Sequence, residues 1–200
     1  MSITLGIIII TVIISLSSFN RPKAFDDLSM WPHMIDTKKQ YYRFITSGFI
    51  HGDFLHLFFN MITLYFFGRM IEANLTPMMY ILFYVSALII SDIPTYFRHR
   101  RNFSYRSIGA SGAISALLFA SILFDPWQNI YLYFSIPCPA ILYTVLYMAY
   151  CVYASKRQLG NINHDAHLWG GLYGWVFMIA WQPAIVPFFI DQLMHPHFGR

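Results

Sequence analysis

Six apolar runs, separated by short polar segments, take up most of the chain and constrain its fold more than any other feature. A transmembrane helix needs about 20 mainly apolar residues, and most of these runs approach that length. Hydrophobic residues make up 57% of the 200 residues and charged residues only 11%, which is more apolar surface than one soluble core could bury. We therefore predict an all-α membrane protein with six transmembrane helices.

The predicted spans form one membrane domain covering residues 1–200, without a separate soluble domain. They are residues 3–19, 54–72, 77–97, 109–124, 139–153 and 166–183, and a structured first loop occupies residues 20–53.

The fourth run is unusually short. It reaches from about Gly109 to Phe124, and 16 residues rise only about 24 Å, against about 30 Å for the hydrocarbon core. We predict that this helix begins inside the bilayer and that the polar segment before it dips to meet it. Irregular backbone at that depth is tolerated only beside protein or a water-filled cavity. The sequence therefore predicts a wet cavity near Ser111.

The second predicted span carries polar side chains, which are costly in a membrane and by default mark a functional site. His56 and Asn60 are four residues apart and share one helix face, where both can donate hydrogen bonds toward the bundle interior. Hydrogen bonding between helices is the alternative role. Two donors on one face at that depth exceed what packing requires.

A serine flanked by glycines begins the fourth span, in the segment Gly109-Ala-Ser111-Gly112. Backbone N–H groups at a helix N-terminus are available to bind a developing oxyanion. Small neighbours let a substrate backbone approach closely. The segment also starts a small-residue stripe, Gly112, Ala116 and Ala120, and taken by itself it favours helix packing.

The sixth span begins with a histidine followed by two glycines on the same face: His167, Gly170 and Gly174. We expect the glycines to pack against the small-residue stripe of the fourth helix and so bring His167 to Ser111. That is the geometry of a nucleophile and its general base. His164, one turn earlier, is expected at the rim.

Together these three groups resemble the rhomboid family of intramembrane serine proteases over nearly the whole chain. The family pattern HxxxxHxxxN is similar to His51, His56 and Asn60; GxSG to Gly109, Ser111 and Gly112; and AHxxGxxxG to Ala166, His167, Gly170 and Gly174. In addition, Tyr42-Arg43 resembles a Trp-Arg pair in the first loop, and Gly68-x-x-x-Glu72 resembles a further family feature.

The resemblance implies a serine endopeptidase that cleaves transmembrane segments through an acyl-enzyme, with Ser111 as nucleophile and His167 as general base. The Ser111 backbone N–H, His56 and Asn60 would bind the oxyanion. Supporting roles would fall to Gly109, Gly112, Gly170, Gly174, His51 and Arg43. No cofactor or metal is expected, and the partners would be transmembrane substrates and the lipid bilayer, not nucleic acid. The segment 154–165 would cap the site.

The sequence departs from the family pattern one turn after the serine. Ser115 stands where many members carry an aromatic residue that stacks on the histidine. We therefore expect another residue, Tyr173 or Trp169, to orient His167.

The charge distribution bears on sidedness. Eleven of the thirteen Lys and Arg residues lie in the first, third and fifth loops. The positive-inside rule places these loops in the cytoplasm, whereas the family topology places them outside. Following the family, we expect a bacterial inner membrane with the active site opening to the extracytoplasmic side.

Three alternatives stay open. A catalytically inactive relative would bind membrane clients with the same fold. A metalloprotein would use His51, His56, His164 and His167, although no HExxH motif occurs. A channel or transporter is disfavoured because the chain lacks an internal repeat. The two cysteines, Cys138 and Cys151, indicate neither a disulfide nor a metal site by their spacing.

Overall fold

The computed structural model of the chain is mostly helical and describes residues 2–132, 135–157, 160 and 162–196. Its α-helices, in chain order, are α1 (Ile3–Ser18), α2 (Pro22–Leu28), α3 (Pro32–Lys38), α4 (Arg43–Thr46), α5 (Phe54–Thr63), α6 (Arg69–Glu72), α7 (Pro77–His99), α8 (Ser111–Ile122), α9 (Ala140–Arg157), α10 (His164–Trp181) and α11 (Ile185–Met194). A 3-10 turn at Ser47–Phe49 follows α4, and a π-helical segment at Leu64–Gly68 joins α5 to α6.

Within the described residues, two continuous helices are long and apolar enough to cross a membrane: Phe54–Glu72, which combines α5, the π-helical segment and α6, and Pro77–His99. Helices α10 and α11 together would make a third, although a bend of 116° separates them. Helices α1 and α8 are apolar but shorter. Apolar side chains remain exposed along these helices, Ile13 and Val176 among them, as expected for helices that face lipid.

Helix α8 lies at the centre of the bundle, and every residue from Gly112 to Ile122 is buried. Its small side chains allow neighbouring helices to approach closely, and α7 and α10 pack against it. The surrounding core includes Phe83, Leu117 and Met178, all nearly inaccessible to solvent. The residue that begins this central helix is Ser111, so the fold places that serine inside the bundle.

Glu72 joins the end of α6 to the start of α1. Its carboxylate accepts hydrogen bonds from the Ser2 hydroxyl at 2.6 Å, the Ile3 N–H at 2.6 Å and the Thr4 N–H at 3.1 Å. A carboxylate at a helix N-terminus satisfies free N–H groups and interacts favourably with the helix dipole. This contact gives a structural role to Glu72, whose spacing from Gly68 is one of the family-like features.

Arg43 joins the segments of the first loop, which contains α2, α3 and α4. Arg43 is 2% exposed. Its guanidinium donates to the carbonyls of Asp26 at 2.6 Å and Ser29 at 2.9 Å and to the Gln40 side chain at 2.7 Å. A buried arginine with three such acceptors fixes the loop, so its supporting role lies in the loop and not in the cavity described below.

Three elements differ from the predicted spans. Residues before α9 form an antiparallel hairpin, β1 (Asn129–Leu132) paired with β2 (Ile136–Pro139), where no regular structure was expected. Helix α11 follows the sixth predicted span. The expected cap, residues 154–165, is partly helical because α9 continues to Arg157 and α10 begins at His164. Three of its residues, 158, 159 and 161, lie outside the described residues.

Candidate active site

Ser111 and His167 line one open cavity of about 180 Å³. Asn60 of α5, Ser115 of α8 and Tyr147 of α9 are also among its lining residues. A water molecule takes about 30 Å³ of liquid, so the cavity has room for several. The structure thus brings together a serine hydroxyl, an imidazole and space for water, as the sequence predicts for the region around Ser111.

The backbone before Ser111 makes a turn that requires glycine. Gly109 has φ +102°, a conformation that other residues rarely adopt, and a Cβ there would lie 2.8 Å from the His56 ring. Its N–H donates to the Ser47 carbonyl at 2.9 Å, which ties the turn to the first loop. Because α8 begins at Ser111, the Ser111 N–H belongs to the first helical turn and has no acceptor within the helix.

The approach of α10 to α8 depends on its glycines. A Cβ at Gly170 would collide with the Gly112 carbonyl, and one at Gly174 would collide with the Ala116 carbonyl. In both cases the atoms that the added Cβ would meet belong to the α8 backbone, which cannot move aside as a flexible side chain can. These close contacts confirm the prediction that the glycine face of α10 packs on the small-residue stripe of α8. Because His167 lies on the same face, this packing places it at the cavity.

Tyr147 holds the His167 ring. The Tyr147 hydroxyl lies 2.8 Å from His167 Nδ1, and the two rings are nearly parallel with centroids 6.1 Å apart. The expectation that Tyr173 or Trp169 orients His167 is wrong. The Tyr173 hydroxyl donates instead to Ser86 at 2.6 Å, and Trp169 is 45% exposed. With Nδ1 engaged by Tyr147, Nε2 is the nitrogen left to face a hydroxyl.

The polar residues of the second span lie beside the cavity. Asn60 is 8% exposed, and its amide nitrogen donates to the His56 carbonyl at 2.8 Å. The His56 ring lies against Gly109 and makes an edge contact with the His51 ring, with centroids 4.9 Å apart. Asn60 therefore lines the cavity, whereas His56 lies outside the described lining and reaches the site only through Gly109, two residues before α8 begins.

His51 precedes the span and is buried in a different environment. Its Nδ1 lies 2.9 Å from the Ser15 hydroxyl of α1. Burial lowers the pKa of His51 to about 3, with His56 adding to the effect. A neutral His51 joins the first loop to α1 through Ser15 and packs against the edge of the His56 ring.

Asn163 is a structural residue of the site that our sequence reasoning missed. Its side-chain oxygen accepts from the Ala166 N–H at 3.1 Å and caps α10, and the Thr95 hydroxyl donates to the same oxygen at 2.8 Å. Its amide nitrogen donates to Asp92 at 3.1 Å. Asparagine is a favoured N-cap, so an Asn a few residues before a predicted helix is a signal that could have identified both this role and the true start of α10.

His164 does not lie at the rim, contrary to the sequence prediction. It is only 5% exposed, because α10 begins two residues earlier than expected and its first turn packs against α9. The Tyr150 ring makes an edge contact with it, at 5.3 Å between centroids. Among the described residues, the one group suited to a metal ion is Cys151, His164 and His167, and it excludes His51 and His56.

A family model described as the Rhomboid domain matches residues 38–183 of the chain. That range contains every residue placed above at the cavity. The chain is mostly helical, with apolar helices able to cross a membrane, which agrees with an integral membrane protein.

Three curated proteins are similar in sequence. RHOMBOID-like protein 12, mitochondrial, of Arabidopsis thaliana is 31% identical over 153 residues, 68% of this chain and 44% of that protein. YdcA of Bacillus subtilis (strain 168), provisionally named a rhomboid protease, is 30% identical over 131 residues, 66% of this chain and 62% of that protein. Rhomboid-like protein 11, chloroplastic, of Arabidopsis thaliana is 29% identical over 148 residues, 69% of this chain and 51% of that protein.

The chain thus spans between 44% and 62% of the length of these relatives. Two of them are named for plant organelles, so the similarities do not support the expected bacterial inner membrane. The domain match covers well over half of the chain. The chain therefore belongs to the rhomboid family of integral membrane proteins.

Proposed function

We propose that the chain is an intramembrane serine endopeptidase in which Ser111 is the nucleophile and His167 the general base. One observation carries the proposal: both side chains line the same open cavity, at the start of a buried helix. The similarity to YdcA, provisionally named a rhomboid protease, is consistent with it.

In the proposed reaction, Nε2 of His167 accepts the hydroxyl proton of Ser111 while Oγ bonds to the scissile carbonyl carbon. The tetrahedral intermediate collapses when the C–N bond breaks and the imidazolium returns the proton to the departing amine. Water then attacks the acyl-enzyme, again with His167 accepting a proton, and releases the carboxylic acid and free Ser111. The cavity beside both side chains supplies room for that water.

The oxyanion of the intermediate would be bound by the Ser111 backbone N–H, His56 and Asn60. The Ser111 N–H suits this role because it lies in the first turn of α8. His56 suits it because its ring lies against Gly109. Asn60 uses one amide hydrogen for the His56 carbonyl, and an amide nitrogen carries two. Removing one oxyanion donor typically lowers the rate by about 10²–10³.

The proposal includes six spans in a single membrane domain over residues 1–200. Helix α8 contributes the short fourth span, because 12 residues rise only about 18 Å. We propose that its N-terminus lies inside the bilayer and that the cavity opens to the extracytoplasmic side. Accessibility reporters in two loops test the sidedness. The proposal places residues 73–76 on the cytoplasmic face and residues 98–106 on the extracytoplasmic face.

The substrates would be transmembrane proteins. An extended strand must reach Ser111, so a transmembrane helix that unwinds near the active-site side is the expected target. The supporting fact is the position of the cavity beside α5 and α9, whose outer faces carry exposed apolar side chains such as Phe59 and Leu146.

The experiment compares cleavage of a generic transmembrane substrate by purified wild type, Ser111→Ala and His167→Ala, with a chelator present. Ser121→Ala is a matched control, because Ser121 is buried on the same helix and its hydroxyl donates only to the Leu118 carbonyl among the described contacts. His33→Ala is a control from the first loop.

We expect both active-site variants to lose cleavage by at least about a thousandfold and both controls to keep it. Cleavage that survives in Ser111→Ala would refute the serine mechanism. Folded wild type that cuts none of several substrates would favour a client-binding rhomboid relative.

A further inference from the structure

A cysteine and two histidines form a compact cluster between α9 and α10. The Cys151 sulfur and one ring nitrogen each of His164 and His167 all lie within 4.8 Å of one another. Cys151 is 0% and His164 5% exposed, while His167 is half-buried at the cavity. Cys151 and His164 take no part in the proposed peptide hydrolysis, so the cluster raises a separate question of function.

The ligand set suits Zn²⁺. Thiolate sulfur and imidazole nitrogen are its commonest protein ligands, at about 2.3 Å and 2.0–2.1 Å, which implies about 3.5 Å between neighbouring ligand atoms in a tetrahedron. From a starting separation within 4.8 Å, small side-chain rotations would close the set. Three protein ligands leave the fourth tetrahedral position for water.

Each histidine borders a cavity, although His164 itself is buried. His167 lines the open cavity that also contains Ser111, and His164 lines a larger polar cavity of about 430 Å³ together with Ser155 and Asp165. A hydrated ion could therefore enter from either side without unfolding of the helices.

We propose that Cys151, His164 and His167 form an inhibitory Zn²⁺ site. Binding releases the thiol proton of Cys151 and uses both imidazoles in their neutral form. An imidazole that holds a metal through one nitrogen keeps its proton on the other. Whichever nitrogen of His167 holds the metal, the ring would then have no lone pair for the proton of Ser111. The inhibitory role rests on the proposed function, whereas the metal site itself does not.

The metal site is tested without any activity assay. Purified chain, freed of metal by chelation and dialysis, is titrated with Co²⁺, and the near-ultraviolet thiolate-to-cobalt charge-transfer band is followed. The chain offers a matched control, since Cys138 is its second cysteine and lies on β2, outside the cluster. We compare wild type with Cys138→Ala, Cys151→Ala and His164→Gln.

We expect saturable binding in wild type and Cys138→Ala, displacement of the band by Zn²⁺, and at least a hundredfold weaker binding in His164→Gln. Cys151→Ala should lack the band. The absence of a band in wild type, or a band that survives in Cys151→Ala and vanishes in Cys138→Ala, would overturn the site.

The inhibitory role is tested by cleavage at increasing free Zn²⁺, each variant being scaled to its own metal-free rate. We expect wild type to be inhibited reversibly by chelator and Cys151→Ala to need at least tenfold more Zn²⁺ for half inhibition. Equal sensitivity of the two would overturn the role. If Co²⁺ binds as expected but metal-free wild type cuts nothing, the proposed function fails and the metal site stands. If wild type cuts and binds no Co²⁺, the metal site fails and the proposed function stands.

Discussion

The Tyr147 hydroxyl lies 2.8 Å from Nδ1 of His167, so a residue of α9 holds a ring of α10 that lines the same cavity as Ser111. The same tyrosine stacks on the imidazole. Ser115 of α8, which departs from the family pattern noted in the sequence, has no ring to do so. The contact that orients His167 therefore comes from α9. A hydrogen bond at Nδ1 is the kind of contact that fixes the tautomer of a histidine.

Tyr147→Phe is predicted to lower kcat about tenfold with little change in KM, because the ring stays and only the Nδ1 partner is lost. Tyr143→Phe is the matched control. Tyr143 lies one turn away on α9 and lines the same cavity, and its ring stacks on Tyr147. Steady-state kinetics on one substrate measures both constants. Equal effects of the two substitutions would mean that the hydroxyl of Tyr147 does not position His167.

Gly170→Ala is predicted to destabilise the bundle by at least about 2 kcal/mol, since the added methyl group meets the Gly112 backbone and neither helix can shift cheaply. Gly6→Ala is the control, because a Cβ on α1 at that position has nothing within 4 Å. It should leave stability unchanged or raise it slightly through helix propensity. Unfolding in detergent compares the two. A Gly170→Ala chain as stable as Gly6→Ala would contradict the close packing of α8 and α10.

Glu72→Gln is predicted to cost about 1–2 kcal/mol, because a neutral amide replaces a carboxylate that accepts three hydrogen bonds at the start of α1. Asp191→Asn serves as control, since Asp191 is exposed on α11. The loss should appear as a lower unfolding midpoint, with earlier proteolysis of α1. If both substitutions shift the midpoint equally, Glu72 does not anchor α1.

His51 predicts a pH effect on stability. Its pKa in the folded protein is about 3, below the ordinary value of 6.5. Between these two pH values the unfolded chain binds a proton that the folded chain does not. Stability from this group is therefore present above about pH 6.5 and falls as the pH is lowered toward 3. His51→Asn should flatten the change in unfolding midpoint between pH 7 and 5. An unchanged slope would place the acid sensitivity elsewhere.

The sequence predicted those features that depend on local patterns. The small-residue stripe of α8 and the glycine face of α10 could be recognised because helical spacing alone puts them on matching faces, and their contact is confirmed. The apolar runs located the principal helices to within a few residues. The folded first loop was expected from its mixture of charged and aromatic residues, although not its anchoring by buried Arg43.

Features that depend on contacts between distant segments escaped prediction. Tyr147 and Cys151 lie in an apolar stretch with several other tyrosines, and only the packing of α9 against α10 selects them. His164 was placed at the rim because the start of α10 could not be located to the residue. The 116° bend before α11 follows Gln182-Pro183, where the dipeptide signals a break but not its angle.

The central claim is that His167 activates Ser111, and a serine-reactive fluorophosphonate tests it most directly without any choice of substrate. Labelled protein is digested and the adduct is located by mass spectrometry. We predict a single adduct on Ser111 in wild type and in Ser121→Ala, and none in Ser111→Ala or His167→Ala. Labelling of Ser111 that is as fast in His167→Ala as in wild type, or no labelling of Ser111 in folded wild type, would contradict the account.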